Sequence, residues 1–253
     1  MRKIMKVLIS DYDGTLFLDS GYRKADLKAI RQFQKEGNLF GLCSGRPFSY
    51  LWNLESGELH FDFIISSTGA CISLDPDLII EQKFVFNEDL VQISKCCDLQ
   101  EMAVITKDAA YVHSLGWGSS SLVSLDPVIM TSIDQISEPI IQISIEKKTE
   151  QEASALYERL NAMGLSCSIF LNGVFLDIVG SDCSKGGAIR KLARHLGMEE
   201  KDMACIGDNF NDLPMFETIP NSFSFPYAPE KVQEKAGTIV DSIAQAIECL
   251  ENE

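Results

Sequence analysis

The run IMKVLIS, residues 4–10, is apolar without alternation and breaks off at Asp11-Tyr12-Asp13-Gly14-Thr15. A strand that is apolar on both faces must be covered on both, which is the condition of a central strand in a sheet flanked by helices. The segments that follow repeat this logic. In KADLKAIRQFQKEG (24–37), Leu27, Ile30 and Phe33 share one helical stripe and Gly37 is placed to end the helix. NLFGLC (38–43) and FDFIIS (61–66) read as second and third strands. Strand, helix, strand at this spacing predicts a parallel sheet with right-handed crossovers.

The pattern resumes near the C-terminus. KGGAIRKLARHLG (185–197) is helical, with Ile189, Leu192, Ala193 and Leu196 apolar; MACIG (203–207) is a strand, and IAQAIECLEN (243–252) a closing helix. Between the halves the texture changes. A helix is expected over 88–98, strands at MAVIT and AYVH, then an irregular Gly/Ser-rich stretch, LGWGSSSL. A strand PIIQISIE (139–146), a helix from Thr149 and two strands, SCSIFL and VFLDIV, follow. Thr149 and Glu152 have the spacing of a capping box. Helix-strand-strand thus occurs twice. The expectation is a doubly wound, mostly parallel α/β core formed by 1–81 and 181–253, with an inserted α+β cap at 82–180. The connections would cross near Gln82–Phe84 and Gly180–Cys183.

In open parallel sheets ligands bind beyond the carboxyl ends of the strands. Here the first strand ends in Asp11-Tyr12-Asp13-Gly14-Thr15, the second in Cys43-Ser44-Gly45-Arg46-Pro47, and ACIG in Asp208-Asn209-Phe210-Asn211-Asp212. Each piece has an ordinary reading: an Asp-Gly turn, a Ser-Gly loop, a helix N-cap. Lys185 alone reads as a solvated helix residue. Four acids at one sheet edge, however, would repel strongly unless a cation sits among them. All-oxygen ligands favour a hard ion, and Mg²⁺ is the usual one where phosphate is also bound.

Taken together and in order, D-x-D-G-T, Ser-Gly-Arg-Pro, Lys-Gly at a helix start and G-D-x-x-N-D resemble the haloacid dehalogenase (HAD) phosphatase superfamily. The insert between Ser44 and Lys185 resembles its Cof-type branch with a type C2B α/β cap. The resemblance implies a mechanism. Asp11 attacks phosphorus and forms an aspartyl-phosphate. Asp13 protonates the leaving oxygen and then deprotonates water. Asp11, the main-chain carbonyl of Asp13 and Asp208 hold Mg²⁺, with Asp212 supporting the metal site. Ser44, Gly45, Asn211 and Lys185 bind the phosphoryl oxygens, Lys185 offsetting charge in the transition state. Thr15 is expected to brace the first loop by a local hydrogen bond.

The chain departs from the branch in two places. Thr68-Gly69-Ala70 stands where the branch carries Asn-Gly-Ala, and NSFSFPYAPEKV replaces a Met-Gly-Asn-Ala loop. Phe223, Phe225 and Tyr227 read as alternate residues of a strand packed into the core, or as an aromatic side of the cleft. Trp117 belongs to a Gly/Ser loop that can serve as a lid or dock on the cap. Cys43 reads as a buried filler, and His60, His113 and His195 share no ligand spacing.

Composition bounds the rest. The chain has 253 residues, 45% hydrophobic and 23% charged, with net charge -15, which repels nucleic acid and anionic membrane surfaces. The start is too short for a signal peptide, and no apolar run approaches the roughly 20 residues of a membrane span. Eight scattered cysteines without a C-x-x-C favour reduced thiols and a cytoplasmic chain. A small phosphorylated metabolite is the expected partner, and the chain a monomer or weak homodimer. A phosphotransferase or mutase on the same scaffold, and a pseudoenzyme that binds metabolites without turnover, are the alternatives. A signalling receiver would take its acidic pair and acceptor Asp from different strands and has no large cap.

Overall fold

The computed structural model describes residues 5–54, 59–107, 109–113 and 128–252. The unbroken apolar run becomes β1 (Val7–Ser10), buried at every position. A small hairpin, β2 (Phe17–Leu18) and β3 (Gly21–Tyr22), precedes α1 (Lys24–Lys35), whose Leu27, Ile30 and Phe33 are buried as the stripe requires. Then come β4 (Leu39–Cys43), α2 (Phe48–Asn53), β5 (Phe63–Ser66) and an antiparallel hairpin of β6 (Cys71–Ser73) and β7 (Ile79–Gln82).

The insert supplies α3 (Asn87–Ser94), β8 (Met102–Ile105), β9 (Ala110–Val112), β10 (Val128–Met130), β11 (Gln142–Glu146), α4 (Glu150–Asn161), β12 (Cys167–Asn172) and β13 (Phe175–Gly180). The chain returns through α5 (Lys185–Leu196), β14 (Met203–Ile206), α6 (Leu213–Phe216), β15 (Asn221–Ser224), α7 (Glu230–Gln233), β16 (Thr238–Ile239) and α8 (Ile243–Glu251).

Two large sheets result. The core sheet runs β16-β15-β14-β1-β4-β5-β6-β7. Its pairs are parallel from β16 through β5, and β6 and β7 close one edge antiparallel. One face packs on α1 and α8, through Leu27, Ile30, Ile243 and Ile247, and the other on α5, through Ile189 and Leu192. This is the doubly wound α/β core, and it places β1 between β14 and β4, so three strand ends meet.

The second sheet runs β10-β9-β8-β11-β13-β12 and is antiparallel except for β9 with β10. Its register decides which side chains face the core. Ile143 and Ile145 of β11, with Leu176 and Ile178 of β13, bury against Leu90 and Ile93 of α3 and Leu156 and Leu160 of α4. Successive side chains alternate faces, so Gln142, Ser144, Asp177 and Val179 lie on the opposite side. Ser144 pairs across with Asp177, and Phe170 of β12 pairs with Asp177 from the other side. The two ends of the insert lie against each other. Lys83 Nζ donates to the Ser181 carbonyl at 2.8 Å, and a Cβ on Gly180 would lie 2.9 Å from the Phe84 carbonyl oxygen.

Some expectations need revision. The hairpins β2–β3 and β6–β7 and the strand β10 carry little apolar periodicity, because they are short and lie at edges. Thr149 caps α4 by accepting from the Glu152 N–H at 3.2 Å, but the Glu152 carboxylate bonds back to the Lys148 N–H, one residue before the cap. Phe223 and Phe225 are buried, as the strand reading required, whereas Tyr227 lies beyond β15 and is exposed. Trp117 and its proposed lid loop lie outside the described residues.

Candidate active site

Asp11 follows the last residue of β1 directly, and its N–H donates to the Ile206 carbonyl of β14 at 2.9 Å. This bond continues the sheet one step and fixes the carboxylate at the strand end. Lys185 arrives from the first turn of α5, where Ser184 caps the helix by accepting from the Gly187 N–H at 3.0 Å. A cation at a helix N-terminus opposes the helix dipole, so something else must hold it there. Its Nζ donates to Asp11 Oδ1 at 2.6 Å and to Asp212 Oδ1 at 2.5 Å, in a setting where Lys185 is 1% and Asp11 4% exposed. Gly186 lets the helix start come this close, since a Cβ there would sit 2.2 Å from the Pro214 carbonyl oxygen.

Asp208, after β14, completes the group. Asp11, Asp208 and Asp212 each bring a carboxylate oxygen within 4.8 Å of the others. Thr15 donates to Asp208 Oδ1 at 2.6 Å. The bracing expected of Thr15 is therefore not local: its hydroxyl spans the gap between the first and third strand ends. Gly14, at φ +81°, makes room for this contact, because a Cβ would fall 2.5 Å from Asp208 Oδ2. Asp212 Oδ2 accepts from the Asp208 and Asn209 N–H groups at 2.9 and 3.0 Å, and Asn209 caps the same turn in a capping box. One turn thus forms the N-cap of the ordinary reading and also carries two of the three clustered carboxylates, Asp208 and Asp212.

Electrostatics follow from this crowding. Burial, then Asp212, push the Asp11 carboxyl well above the ordinary carboxylate range, against the pull of Lys185. Burial works to lower the Lys185 ammonium, and Asp11 and Asp212 overcome it, so its net shift is upward. Burial raises Asp208 to about 6 despite the Thr15 hydrogen bond. With Lys185 and Thr15 served, Asp11 Oδ2 and Asp208 Oδ2 carry no hydrogen bond among the described residues. Two unclaimed oxygens in an over-negative buried group are the donor set a hard divalent cation fits.

Asp13 sits apart from this knot. Its two oxygens accept from Arg46 Nε and Nη2, both at 2.8 Å, and its side chain is 48% exposed. Arg46 lies 4.6 Å over the Tyr50 ring, which packs edge-on to Tyr12. Sequence reasoning placed Arg46 in a motif without a task; here it is the residue that orients Asp13. Ser44, after β4, is buried, with its Oγ accepting from the Arg46 N–H at 3.1 Å, and Gly45 follows it at the cleft wall. Asn211 lines the cleft too. Its Oδ1 is buried without a partner, which leaves Nδ2 as the amide's exposed end. Tyr227 Oη donates to the Gly14 carbonyl at 2.6 Å, so the altered C-terminal loop supports the first motif from outside.

Asp11, Asp13, Ser44, Gly45, Arg46, Lys185 and Asn211 open on one cleft of about 620 Å³. Its floor is the core and its roof the cap sheet, with Phe170, Gln142 and Asp177 among the roof residues. Sequence reasoning missed the roof. Only the antiparallel registers of β11 and β12 with β13 bring these residues to the inner face, and no local motif marks them.

Fold and site together define the class: a doubly wound α/β core with a carboxylate cluster at its strand ends, under a second, mostly antiparallel sheet. The family description of haloacid dehalogenase-like hydrolases matches residues 8–246, and the chain belongs to that family. It is 26% identical over 246 residues to the Bacillus subtilis (strain 168) protein YxeH, provisionally named a phosphatase, covering 91% of each chain. To the phosphoglycolate phosphatase of Methanosarcina acetivorans it is 23% identical over 261 residues, covering 98% of this chain and 97% of that one. In fold it resembles a haloacid dehalogenase-like hydrolase from Bacteroides thetaiotaomicron, with a TM-score of 0.83 and 20% identity over 98% of this chain and 99% of that one. No helix among the described residues is long and apolar enough to cross a membrane.

Proposed function

We propose that the protein is a Mg²⁺-dependent phosphatase that hydrolyses small phosphomonoesters by way of an aspartyl-phosphate on Asp11. The observation that carries this reading is the pairing of buried Asp11 with Lys185 at the strand end, open to a capped cleft. A nucleophile, a fixed cation and a water-poor roof are what phosphoryl transfer asks of a protein.

In the first half-reaction an Asp11 oxygen forms a bond to phosphorus as the ester P–O bond breaks, and Asp13 gives its proton to the departing oxygen. Both Asp13 oxygens accept from Arg46, so protonating the leaving oxygen would require Asp13 to give up one of these bonds. In the second half, Asp13 takes a proton from water, whose oxygen attacks phosphorus and returns Asp11 as a carboxylate. Lys185, the Ser44 hydroxyl, the Gly45 N–H and the Asn211 amide would hold the phosphoryl oxygens throughout. A divalent cation held by Asp11, Asp208 and the Asp13 carbonyl, with Asp212 in support, would offset the repulsion between nucleophile and phosphate. The cap admits metabolites rather than phosphoproteins. Eight free cysteines fit a reducing cytoplasm.

The test is phosphate release from a panel of metabolite phosphates, with Mg²⁺ or EDTA, for wild type and Asp11→Asn. The expected result is Mg²⁺-dependent release that falls on the order of a thousandfold or more in the variant. Release that survives Asp11→Asn overturns the nucleophile. Ester consumption that appears as a new phosphoester instead of free phosphate moves the assignment to a phosphotransferase.

A further inference from the structure

The roof of the cleft holds polar groups that the reaction itself does not use. Asp177 is half-buried on the cap sheet's inner face, and its Oδ1 accepts from Ser144 Oγ at 2.7 Å and from Gln142 Nε2 at 2.8 Å. Gln142 Nε2 also donates to Ser144 Oγ at 2.8 Å. The three side chains therefore lock one another, and one carboxylate oxygen is fully engaged. The other is not. Asp177 Oδ2 has no hydrogen bond among the described residues. It lies on the cleft side, 3.5 Å from where a Cβ on Gly45 would stand, a point equally 3.5 Å from Thr68 Oγ1. Gln142 is fully buried, and its Oε1 is also without a partner.

A sheet position on a covered face normally carries an apolar side chain, and a half-buried carboxylate with one unengaged oxygen is costly there. The neighbouring positions on the same face, Ala103 and Val179, follow the apolar rule. Thr68 breaks a rule of its own: it is β-branched yet holds φ +53°, a conformation such residues rarely adopt. Two residues, one from the cap and one from the core, thus carry unfavourable features at the same spot, beside the loop expected to bind phosphate.

We propose that Asp177, locked by Gln142 and Ser144 and facing Thr68, is the substrate-selecting group: its free oxygen accepts a hydrogen bond from a hydroxyl of the leaving group and turns away esters that carry a second anion. This rests on the phosphatase reading of the same cleft. The chemistry is one-sided, because an ionised carboxylate is an acceptor only. A neutral polyol or sugar presents O–H donors to it. A carboxylate or second phosphate on the same scaffold meets a like charge there, the nearby Arg46 guanidinium being already held by Asp13. Loss of a hydroxyl partner also leaves the Asp177 oxygen unsatisfied, which makes such sites strongly discriminating.

Matched esters isolate the effect. Glycerol 3-phosphate and 3-phosphoglycerate differ by an alcohol against a carboxylate, as do sorbitol 6-phosphate and 6-phosphogluconate. With Mg²⁺, wild type is expected to favour the alcohol of each pair by roughly 30-fold or more in kcat/KM. Asp177→Asn should lose about tenfold or more on the alcohols, chiefly through KM, and gain on the acids, so that the preference collapses or inverts. Asp177→Ser provides a second route to the same gain, and a gain on the acids cannot come from misfolding. Equal loss on both members of a pair marks Asp177 as structural and overturns the inference, as does a wild type with no preference within the pairs. Wild type that releases no phosphate from any ester, with Mg²⁺ present, overturns the phosphatase reading itself.

Discussion

At the scale of single residues, Lys185 shows how function and local preference part company. A helix start favours acids, and this one carries a lysine that two buried carboxylates retain. Removing it strands both. Lys185→Met is expected to cost about 3 kcal/mol at pH 7.5, the range for breaking a buried ion pair. It should cost less at pH 5, where Asp11, which burial already raises, more readily takes up a proton. Denaturant unfolding of metal-free wild type and variant at the two pH values measures this, and an equal cost at both would refute the repulsion argument. Asp11, Asp13, Ser44, Lys185, Asp208 and Asp212 were legible as a set, because each sits within a few residues of a strand end or helix start. Arg46 was legible as a motif member and not as the partner of Asp13. Asp177 was not legible at all. Its place depends on which face of β13 meets the core, and that is decided by pairing with β11 rather than by its neighbours in sequence.

At the scale of elements, three parallel strands account for the site. β14, β1 and β4 lie side by side, so residues almost two hundred positions apart need only follow their strands to meet. The apolar runs announced these strands because both faces are buried. The short hairpin of β6 and β7 was not announced, since runs of three and four residues are too short to show a period. The approach of α5 to α6 is set by one missing side chain. Gly186→Ala would drive a Cβ into the Pro214 carbonyl, a backbone group with little freedom to move. The expected cost is about 2–4 kcal/mol, with the Lys185 position displaced and turnover falling with it. An alanine variant with unchanged melting temperature and kcat would show that the helices can slide apart freely.

At the scale of the whole molecule, acidity concentrates where the strands converge, and that ties stability to pH. Asp208 is raised to about 6 when folded, against about 3.9 in an unfolded chain. The folded protein therefore holds this proton more tightly than the unfolded one, and metal-free stability falls as pH rises from about 4 through 6. A divalent cation needs the ionised carboxylate, so its stabilising effect grows over the same interval. Thermal unfolding in EDTA and in excess Mg²⁺ at pH 5 and 7.5 should show a larger Mg²⁺ shift at pH 7.5. A shift that is equal at both, or larger at pH 5, would contradict the role given to Asp208.

The contact between the two connections, Lys83 on Ser181 and Gly180 against Phe84, has a modular consequence. The roof leaves and re-enters the catalytic unit through a single doorway, so to the core sheet it is an excursion that returns to its starting point. Exchanging it for a roof of another size alters neither the spacing nor the order of β1, β4 and β14. On the functions proposed above, chemistry and selectivity would sit on separable parts of one chain, and a graft between 82 and 181 should inherit the acidic centre while taking its choice of alcohol from the donor.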